Sequence, residues 1–381
     1  MKNRKLLASV ASVFILSLSI GFVFGQDATP EATPIAGSGM ITGPVDGEAQ
    51  SLNAAGATFP QVLYTTWFSD YAKLTNVQIN YQGIGSGGGI KGVTDGTLDF
   101  GASDAPMSDK QLTDAQATCG GNILHIATAL GGVIVTYNIP ELATSTDTLK
   151  FTPDTLAAVY AGTINTWNDE KLVADNPQLK DLAQPIAVIH RSDSSGTSNI
   201  FTSYLKAVNT DWATNVGAGT AVNWPTGIGQ KGNAGIAGAI KGVPYSLGYV
   251  ELAYATQNQL PIAQIKNKAG NFASASGDTV TAAAAGVTLP EDMRIMIVNG
   301  DGDTTYPITG FTWILVCDTQ KDAAKATAIT RMLWWAIHDG QAYNAKLGYS
   351  PLPDDAVKAD EAQILKIMVD GKQALPAGIV Q

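Results

Sequence analysis

The chain has 381 residues, of which 45% are hydrophobic and 15% are charged, with 40 glycines and a formal net charge of −10. This length exceeds what one hydrophobic core usually supports, so we expect two domains. The composition is that of a globular, loop-rich protein and excludes the disordered and fibrous classes. The sequence has no basic patch or basic run, which argues against nucleic acid as a partner.

The N-terminal segment, residues 1–25, has a basic start followed by an apolar run over residues 6–24. This pattern is typical of a secretory signal peptide, so we expect an exported protein, periplasmic or at the cell surface. The apolar run is nearly long enough to span a bilayer, which leaves open an uncleaved N-terminal anchor that tethers the protein to the membrane. Residues 26–50 contain the near-repeat DATP/EATP with further Gly and Pro, and this composition predicts a flexible tether.

Strands and helices alternate from residue 51 onwards, which predicts an α/β fold. Apolar runs and alternation predict strands at residues 52–57, 77–81, 99–105, 185–190, 246–252 and 262–266. Helical spacing and start signals predict helices at residues 62–74, 109–117, 153–160, 199–209, 232–242, 279–287, 323–347 and 354–370. We expect Trp334 and Trp335, within the stretch 323–347, to lie in the core rather than to stack on a ligand.

Two further apolar runs are interpreted as strands that pass between the domains. Residues 123–137 (ILHIATALGGVIVTY) are too many for one typical strand, so the run is expected to leave one domain and enter the other. Residues 311–317 (FTWILVC) look like the return strand. We therefore expect a discontinuous first lobe, residues 51–130 and 309–381, around an inserted second lobe, residues 131–308.

Four short turns carry hydroxyl residues and glycines where a strand ends or a helix begins. They are GATFP (56–60), GIGSGGG (83–89), GASDAP (101–106) and HRSDSSGTS (190–198). Helix N-termini present unpaired N–H groups and a partial positive charge, which favour a bound anion. Arg191 adds a planar cation that suits two hydrogen bonds to a tetrahedral oxyanion. Taken alone, the last turn is equally well explained as an ordinary capped helix.

Together, the four turns closely resemble the phosphate-binding proteins of bacterial phosphate ABC transporters, in the same order and spacing along the chain. Similarity continues through LGGVIVTYNIP (130–140), SLGYVEL (246–252) and LGYSPLP (347–353), and it covers residues 51–370. The resemblance implies a two-lobed, type II periplasmic-binding fold with two hinge crossings and inorganic phosphate enclosed between the lobes. It also implies delivery of phosphate to permease subunits in the membrane. We expect a monomer that uses no cofactor and no metal.

The resemblance also assigns roles to single residues. The implied phosphate-binding residues are Thr58, Phe59, Ser86, Asp104, Arg191, Ser195, Gly196 and Thr197. Asp193 is the expected partner that holds Arg191 in place. Asp104 is the one acceptor among donors, and it can accept the proton of hydrogen phosphate. Because sulfate carries no proton at neutral pH, we expect Asp104 to select phosphate over sulfate.

The chain has two cysteines, Cys119 and Cys317. In an exported protein such a pair forms either a disulfide or two buried free thiols. If the two crossing strands run antiparallel, the residue before the first and the residue after the second lie on the same lobe. A disulfide between the two cysteines is therefore compatible with the expected fold.

Other functions stay open at this point. A binding protein for another oxyanion would share the fold; arsenate carries a proton as phosphate does, whereas Asp104 argues against sulfate. A surface scaffold that retains the fold would have lost phosphate binding altogether.

A hydrolase acting on phosphate esters is the catalytic alternative, and it needs a nucleophile, a base and an orienting acid. Of the three histidines, His125, His190 and His338, only His190 neighbours a candidate turn. No G-x-S-x-G elbow surrounds Ser86 or Ser195, so an enzyme is not expected.

Overall fold

The computed structural model describes residues 41–379, in which strands and helices alternate as the sequence predicts. In this range the strands are β1 (Ser51–Gly56), β2 (Gln78–Gly83), β3 (Phe100–Ser103), β4 (Ile123–Asn138), β5 (Lys150–Phe151), β6 (Ala187–Arg191), β7 (Ile228–Gln230), β8 (Ser246–Glu251), β9 (Gln264–Lys266), β10 (Phe272–Ala273), β11 (Thr309–Cys317), β12 (Thr319–Gln320), β13 (Met368–Val369) and β14 (Lys372–Gln373). The α-helices are α1 (Gln61–Thr75), α2 (Ser86–Thr94), α3 (Asp109–Cys119), α4 (Pro153–Tyr160), α5 (Glu170–Val173), α6 (Gly196–Val208), α7 (Thr210–Asn215), α8 (Gly232–Gly242), α9 (Leu252–Asn258), α10 (Gly277–Ala284), α11 (Ala323–Ile337) and α12 (Asp354–Ile364). Short 3-10 helices cover Pro140–Leu142, Pro177–Leu179, Asp339–Tyr343 and Ala345–Leu347.

A mixed sheet of eight strands has the order β2-β1-β3-β11-β4-β8-β6-β7. At one end β1 pairs in parallel with β2 and β3, and at the other end β6 pairs in parallel with β7 and β8. The central pairings, of β11 with β3 and β4 and of β4 with β8, are antiparallel. Ligands bind outside the carboxyl ends of parallel strands in open α/β sheets, so the ends of β1, β3 and β6 are the natural place for a site.

The long strand β4 is shared by both halves of the sheet, and its partner changes along its length. Residues 123–132 pair with β11, and residues 133–138 pair with β8. The apolar run predicted to pass between the lobes is thus one strand of 16 residues, and β11 returns antiparallel to it. Its residues are buried at every position but the last, which explains why the sequence shows a continuous apolar run rather than alternation. The limits of the two lobes stay a prediction.

The tail differs from the single helix predicted over residues 323–347. α11 ends at Ile337 because His338 leaves the helical region, with φ −115° and ψ −92°. The chain then forms 3-10 helices, and the indole N–H of Trp67 donates to the carbonyl oxygen of Gly340 at 2.8 Å. This contact fixes the chain direction after the helix, and its partners are 273 residues apart in sequence.

Two smaller predictions concern the burial of the two tryptophans of α11 and the length of the last helix. Trp334 and Trp335 are 4% and 5% exposed, which confirms their expected place in the core. The helix predicted over residues 354–370 ends earlier, at Ile364, because residues 368–369 pair as β13 with β12 and β14.

The flexible tether over residues 26–50 stays a prediction, but its last ten residues, 41–50, contact the fold at two points. Ile41 is buried, and Glu48 forms a buried ion pair with Arg331 of α11. A low apolar content predicted mobility here, and the partner of Glu48 lies 283 residues further along the chain.

The predicted signal peptide, residues 1–25, and the first part of the predicted tether, residues 26–40, lie outside the described residues. Among the helices of residues 41–379, none combines the length and the apolar character needed to cross a bilayer.

Candidate functional site

The four turns rich in glycine and hydroxyl residues meet at one place in the structure. Residues 56–60 lie between β1 and α1, 83–89 open α2, 101–106 follow β3, and 190–198 lead from β6 into α6. Backbone N–H groups join two of the turns directly. Gly87 N donates to the carbonyl oxygen of Ser194 at 3.1 Å, and Gly196 N donates to Ser86 Oγ at 3.0 Å. The starts of α2 and α6 are therefore in direct contact.

The fully buried Ser86 connects the starts of both helices to the end of β3. Its hydroxyl oxygen accepts hydrogen bonds from Asp104 N at 3.2 Å and from Gly196 N at 3.0 Å, and it lies 3.5 Å from Asp104 Oδ2. A β-carbon at position 196 would lie only 2.5 Å from Asp104 Oδ2 and from Ser86 Oγ. The approach of α6 to these two side chains therefore requires glycine at this position.

Asp104 is a carboxylate buried next to several hydrogen-bond donors. The residue is 1% exposed, and Thr312 Oγ1 of β11 donates to its Oδ1 at 2.9 Å. Burial raises the pKa of Asp104 to about 7, and the hydrogen bond from Thr312 and the positive charge of Arg191 offset only part of that effect. One carboxylate oxygen is thus held by Thr312, while the other faces Ser86 and the start of α6.

Arg191 ends β6 with its side chain 1% exposed, held in a bidentate pair with Asp193. Its Nε donates to Asp193 Oδ1 at 2.7 Å, and its Nη2 donates to Oδ2 at 2.5 Å. Burial acts to raise the pKa of Asp193, but the hydrogen bonds and charge of Arg191 outweigh it and hold the pKa below its usual value. The remaining nitrogen, Nη1, donates to Thr197 Oγ1 at 3.3 Å, so the guanidinium points along the start of α6.

Thr58 and Thr197, from two different turns, share one partner, Asn233 at the start of α8. Asn233 Nδ2 donates to Thr58 Oγ1 at 2.9 Å and to Thr197 Oγ1 at 3.1 Å. The backbone N–H of Asn233 also donates to Thr58 Oγ1, at 3.2 Å. All three residues are buried, so this polar bridge lies within the contact between the turns.

Phe59 and Ser195 lie in the same turns, but most of their polar groups are engaged elsewhere. The side chain of Phe59 is fully buried in the core, and its carbonyl oxygen accepts from the hydroxyl of Tyr349 at 2.7 Å. Ser195 caps α6: its Oγ accepts from Ser198 N at 3.1 Å, and its own N–H donates to Thr220 O at 2.8 Å. Phe59 can therefore offer a ligand its backbone N–H, and Ser195 its hydroxyl proton.

Sequence reasoning missed three residues of this site: Asn233, Thr312 and Tyr254. Tyr254 of α9 donates its hydroxyl proton to the carbonyl oxygen of Thr58 at 2.7 Å. Asn233 lies in the second glycine-rich segment, GQKGNAGIAGAIK, which is a signal that could have found it. Thr312 lies inside an apolar strand, where a single threonine gives no such signal.

Within residues 41–379, the three histidines contact groups other than the serines of the site. His125 is buried, its Nε2 accepts from Met107 N at 3.0 Å, and burial lowers its pKa to about 3. The ring of His190 stacks on Trp224 with centroids 4.9 Å apart. His338 pairs with Glu361 at 2.8 Å, on the C-terminal helices. Within residues 41–379, none of these histidine nitrogens is hydrogen-bonded to a serine hydroxyl.

The two cysteines form a disulfide between the end of α3 and the end of β11. The Cα atoms of Cys119 and Cys317 are 5.8 Å apart. Within residues 41–379, the one group of His, Cys, Asp or Glu side chains whose ligand atoms lie close enough for a metal consists of these cysteines and Asp318. Both sulfurs are bonded to each other, so this group is not arranged as a metal centre.

Comparison with known proteins places the chain in a family. It matches the model of a PBP superfamily domain over residues 32–329. The phosphate-binding protein PstS of Haemophilus influenzae is 39% identical over 318 residues, which are 83% of this chain and 93% of the relative. PstS of Pasteurella multocida is 38% identical over 318 residues, which are 83% of this chain and 90% of the relative.

Among solved structures, a high-affinity periplasmic phosphate-binding protein bound with phosphate superposes with a TM-score of 0.71 at 22% identity. The match covers 87% of this chain and 99% of that chain. This likeness confirms the predicted fold class, the two-lobed type II periplasmic-binding fold with two crossing strands. The sequence identity to the two PstS relatives, 38% and 39%, is higher than that to the solved structure, and it extends over most of this chain and of each relative. The chain therefore belongs to the PBP superfamily and, within it, to the PstS family of phosphate-binding proteins.

Proposed function

We propose that this chain binds inorganic phosphate between its two lobes and delivers it to the permease subunits of an ABC transporter. Its relatives are named phosphate-binding proteins, so binding rather than catalysis is the function of the site. A solved protein with the same fold is described as periplasmic. Together with the signal-like residues 1–25, this supports an extracytoplasmic location. Tethering to the membrane would follow if that segment stays uncleaved.

The lobes are proposed to divide as the sequence predicted, into residues 51–130 with 309–381 and residues 131–308. The change of strand partner within β4, at residues 132–133, supports this division. Phosphate would then contact Thr58, Phe59, Ser86 and Asp104 from the first lobe. From the second lobe it would contact Arg191, Ser195, Gly196 and Thr197, with Asp193 holding Arg191.

The observation that carries the proposal is the buried carboxylate of Asp104, an acceptor placed among hydrogen-bond donors. Asp104 Oδ2 faces Ser86 and the start of α6, where Gly196 offers its N–H group and Arg191 its charge. Hydrogen bonds to a charged group contribute about 1.5–3 kcal/mol each, which offsets the cost of dehydrating a buried anion. A phosphate that keeps one proton satisfies the donors with its oxygens and Asp104 with its proton.

When phosphate enters the site, N–H groups of the turns exchange their hydrogen-bond acceptors. The N–H of Gly196 now donates to Ser86 Oγ, and Gly87 N–H donates to Ser194 O, so the two lobes contact each other directly. A phosphate oxygen would take the place of Ser86 Oγ as the acceptor for Gly196 N–H. The ligand then bridges the lobes and favours the closed state, as a population shift requires.

Asp104→Asn tests the proposal most directly. An asparagine amide can donate to an unprotonated oxyanion, so the substitution removes the repulsion that excludes sulfate. We expect the preference for phosphate over sulfate, measured by calorimetric titration at pH 8, to fall by about tenfold or more, because one charge-assisted contact is worth about 1.4 kcal/mol or more.

Asp360→Asn is the matched control, because Asp360 is also fully buried but belongs to none of the four turns and accepts from Ala127 N of β4. Its phosphate-to-sulfate preference should equal that of the unmodified protein. Equal preferences in all three proteins would contradict the role of Asp104. If the unmodified protein binds sulfate or arsenate more tightly than phosphate, the proposal that phosphate is the ligand is wrong.

A further inference from the structure

We infer that Asn233 makes the hydroxyl groups of Thr58 and Thr197 donors only, so that both protons are directed at the oxyanion. The inference rests on the proposed function and names a positioning residue that does not itself need to touch the ligand. It follows from counting the hydrogen-bonding capacity of each oxygen in the bridge between the two threonines.

A threonine hydroxyl accepts two hydrogen bonds through its lone pairs and donates one. Thr58 Oγ1 accepts from the backbone N–H and from the Nδ2 of Asn233, at 3.2 Å and 2.9 Å. Thr197 Oγ1 accepts from Asn233 Nδ2 at 3.1 Å and from Arg191 Nη1 at 3.3 Å. Both lone pairs of both oxygens are therefore occupied. Each hydroxyl retains only its proton, and a bound anion offers the acceptors for these protons.

The orientation of the Asn233 amide is fixed by its neighbours. Its Oδ1 accepts the backbone N–H of Glu251 at 3.0 Å, which assigns the oxygen side and leaves both Nδ2 protons for the threonines. The start of α8 is held as well, because Gly232 N donates to Asp193 Oδ1 at 3.0 Å. Asp193 thus anchors Arg191 and the helix that carries Asn233 at the same time.

The bridge also links the proposed lobes. Thr58 comes from the turn between β1 and α1, whereas Asn233 and Thr197 come from α8 and α6. The contact of Asn233 with Thr58 exists only when the lobes are together, so the donor-only state of Thr58 is completed on closure. An anion that enters the open cleft would meet its last oriented donor as the lobes close.

A mutant cycle tests this inference, with phosphate affinity measured by calorimetry on the full-length protein. Asn233→Leu keeps the approximate volume but donates nothing, so both hydroxyls are free to turn away from the ligand. We expect phosphate affinity to fall by about 10- to 100-fold, the equivalent of one to two lost hydrogen bonds to an anion. In the background Thr58→Val with Thr197→Val, the same substitution should change affinity by less than about threefold, because the groups it acts through are absent.

Asn176→Leu is the control for removing a buried asparagine, since Asn176 bonds to Lys150 and Leu172 outside the site. It should leave phosphate affinity unchanged even where it lowers the melting temperature. Thermal unfolding of every variant separates lost folding from lost affinity.

Asn233→Asp adds a second measurement, the pH dependence of phosphate affinity, which would not change if Asn233 had only a structural role. An ionised aspartate would accept the two hydroxyl protons and divert them from phosphate, whereas a protonated one donates again. The affinity deficit of this variant relative to Asn233→Leu at the same pH should therefore shrink as the pH falls. The charged and titratable groups around position 233 include Arg191, Asp193, Glu251, Asp104 and Tyr254. Both variants share them, so the ratio isolates the new carboxyl.

The outcomes distinguish this inference from the proposed function. Phosphate binding by the unmodified protein, with a small effect of Asn233→Leu in the double-valine background, supports both. Phosphate binding with an equal loss in both backgrounds, or a pH-independent deficit of Asn233→Asp, overturns the role of Asn233 and leaves the proposed function standing. Absence of phosphate binding by the unmodified protein overturns both.

Discussion

The buried carboxyl of Asp104 is unfavourable for folding whenever it is charged without a ligand. Burial raises its pKa from 3.8 to about 7, and neither the hydrogen bond from Thr312 nor the charge of Arg191 restores the usual value. Between these two pH values the folded protein keeps a proton that the unfolded chain has released. The contribution of Asp104 to the free energy of unfolding of the ligand-free protein therefore falls as the pH rises from about 4 to about 7.

Asp104→Asn should remove the part of this pH dependence that comes from Asp104, and leave the part that comes from other buried carboxyls such as Glu251 and Asp360. Over about two pH units in this range, the folded protein keeps the Asp104 proton that the unfolded chain has released, which corresponds to about 2–3 kcal/mol. The variant should therefore gain about that much stability relative to the unmodified protein between pH 5 and pH 8. Urea unfolding in phosphate-free buffer at several pH values measures the difference. Parallel stability curves for the two proteins would show that Asp104 titrates normally in the folded state.

Single residues of the site were predictable where a local pattern carries the chemistry. Asp104 and Arg191 stand in turns whose glycines and hydroxyls mark the end of a strand or the start of a helix. Thr312 and Asn233 were missed because their roles depend on distant partners, 208 residues away for Thr312 and Asp104 and 175 for Asn233 and Thr58. Composition and spacing describe short stretches of chain, so they cannot reveal which distant side chain completes a hydrogen bond.

At the scale of elements, the start of α1 approaches β4 closely, and this approach fixes the turn that carries Thr58. The ring of Phe59 lies against Gly131, where a β-carbon would be 2.4 Å from its Cζ. At the neighbouring Gly132 the nearest atom, Val280 Cγ2, would be 3.2 Å away. The two glycines of one strand therefore differ in how much room they have.

Gly131→Ala should destabilise the protein by about 1–3 kcal/mol, because the Phe59 ring must move out of a well-packed position. The movement shifts the peptide of Thr58 and Phe59, so phosphate affinity should fall as well. Gly132→Ala, the matched control, should cost less than about 1 kcal/mol, since a small shift of Val280 suffices and alanine restricts the unfolded chain. Urea unfolding and phosphate titration measure both effects. Similar losses at the two positions would mean that the contact with Phe59 does not position this turn.

Longer elements were predicted more reliably than short ones for a physical reason. Helix α8 spans residues 232–242 as predicted, since ten or more residues show a clear period. Strands such as β10 and β13 have two residues each and carry no periodicity, so only their pairing with distant strands creates them. The end of α11 at Ile337 likewise depends on the packing of Trp67 against the following chain.

At the scale of the whole molecule, an acidic protein is proposed to bind an anion. The formal net charge is −10, and the charge of Arg191 is largely balanced by Asp193. Attraction must therefore come from oriented N–H groups at the starts of α2 and α6, which act within the first turn of each helix. A binding site of this kind is built from local geometry, so the overall charge says little about the sign of the ligand.

The disulfide acts on the whole chain, because it joins residues separated by 198 positions. The closed loop contains every element from β4 to β11, and restricting so long a loop in the unfolded chain stabilises the folded state by typically 2–4 kcal/mol. Cys317 lies five residues beyond Thr312 along β11, about 17 Å for an extended strand, so the bond is remote from the proposed ligand.

Replacing both cysteines, Cys119→Ser with Cys317→Ser, should lower the free energy of unfolding by about 2–4 kcal/mol while phosphate affinity stays within about twofold. The loss arises mainly in the unfolded state, whereas the donors of the site keep their positions in the folded one. Guanidinium unfolding with and without reductant measures it: reductant should destabilise the unmodified protein to the level of the variant and leave the variant unchanged. A count of two free thiols in the denatured, unreduced protein, or unfolding of both proteins at the same denaturant concentration, would contradict the bond. A large loss of phosphate affinity would instead mean that removing the disulfide changes the position of β11 at Thr312, and with it the site.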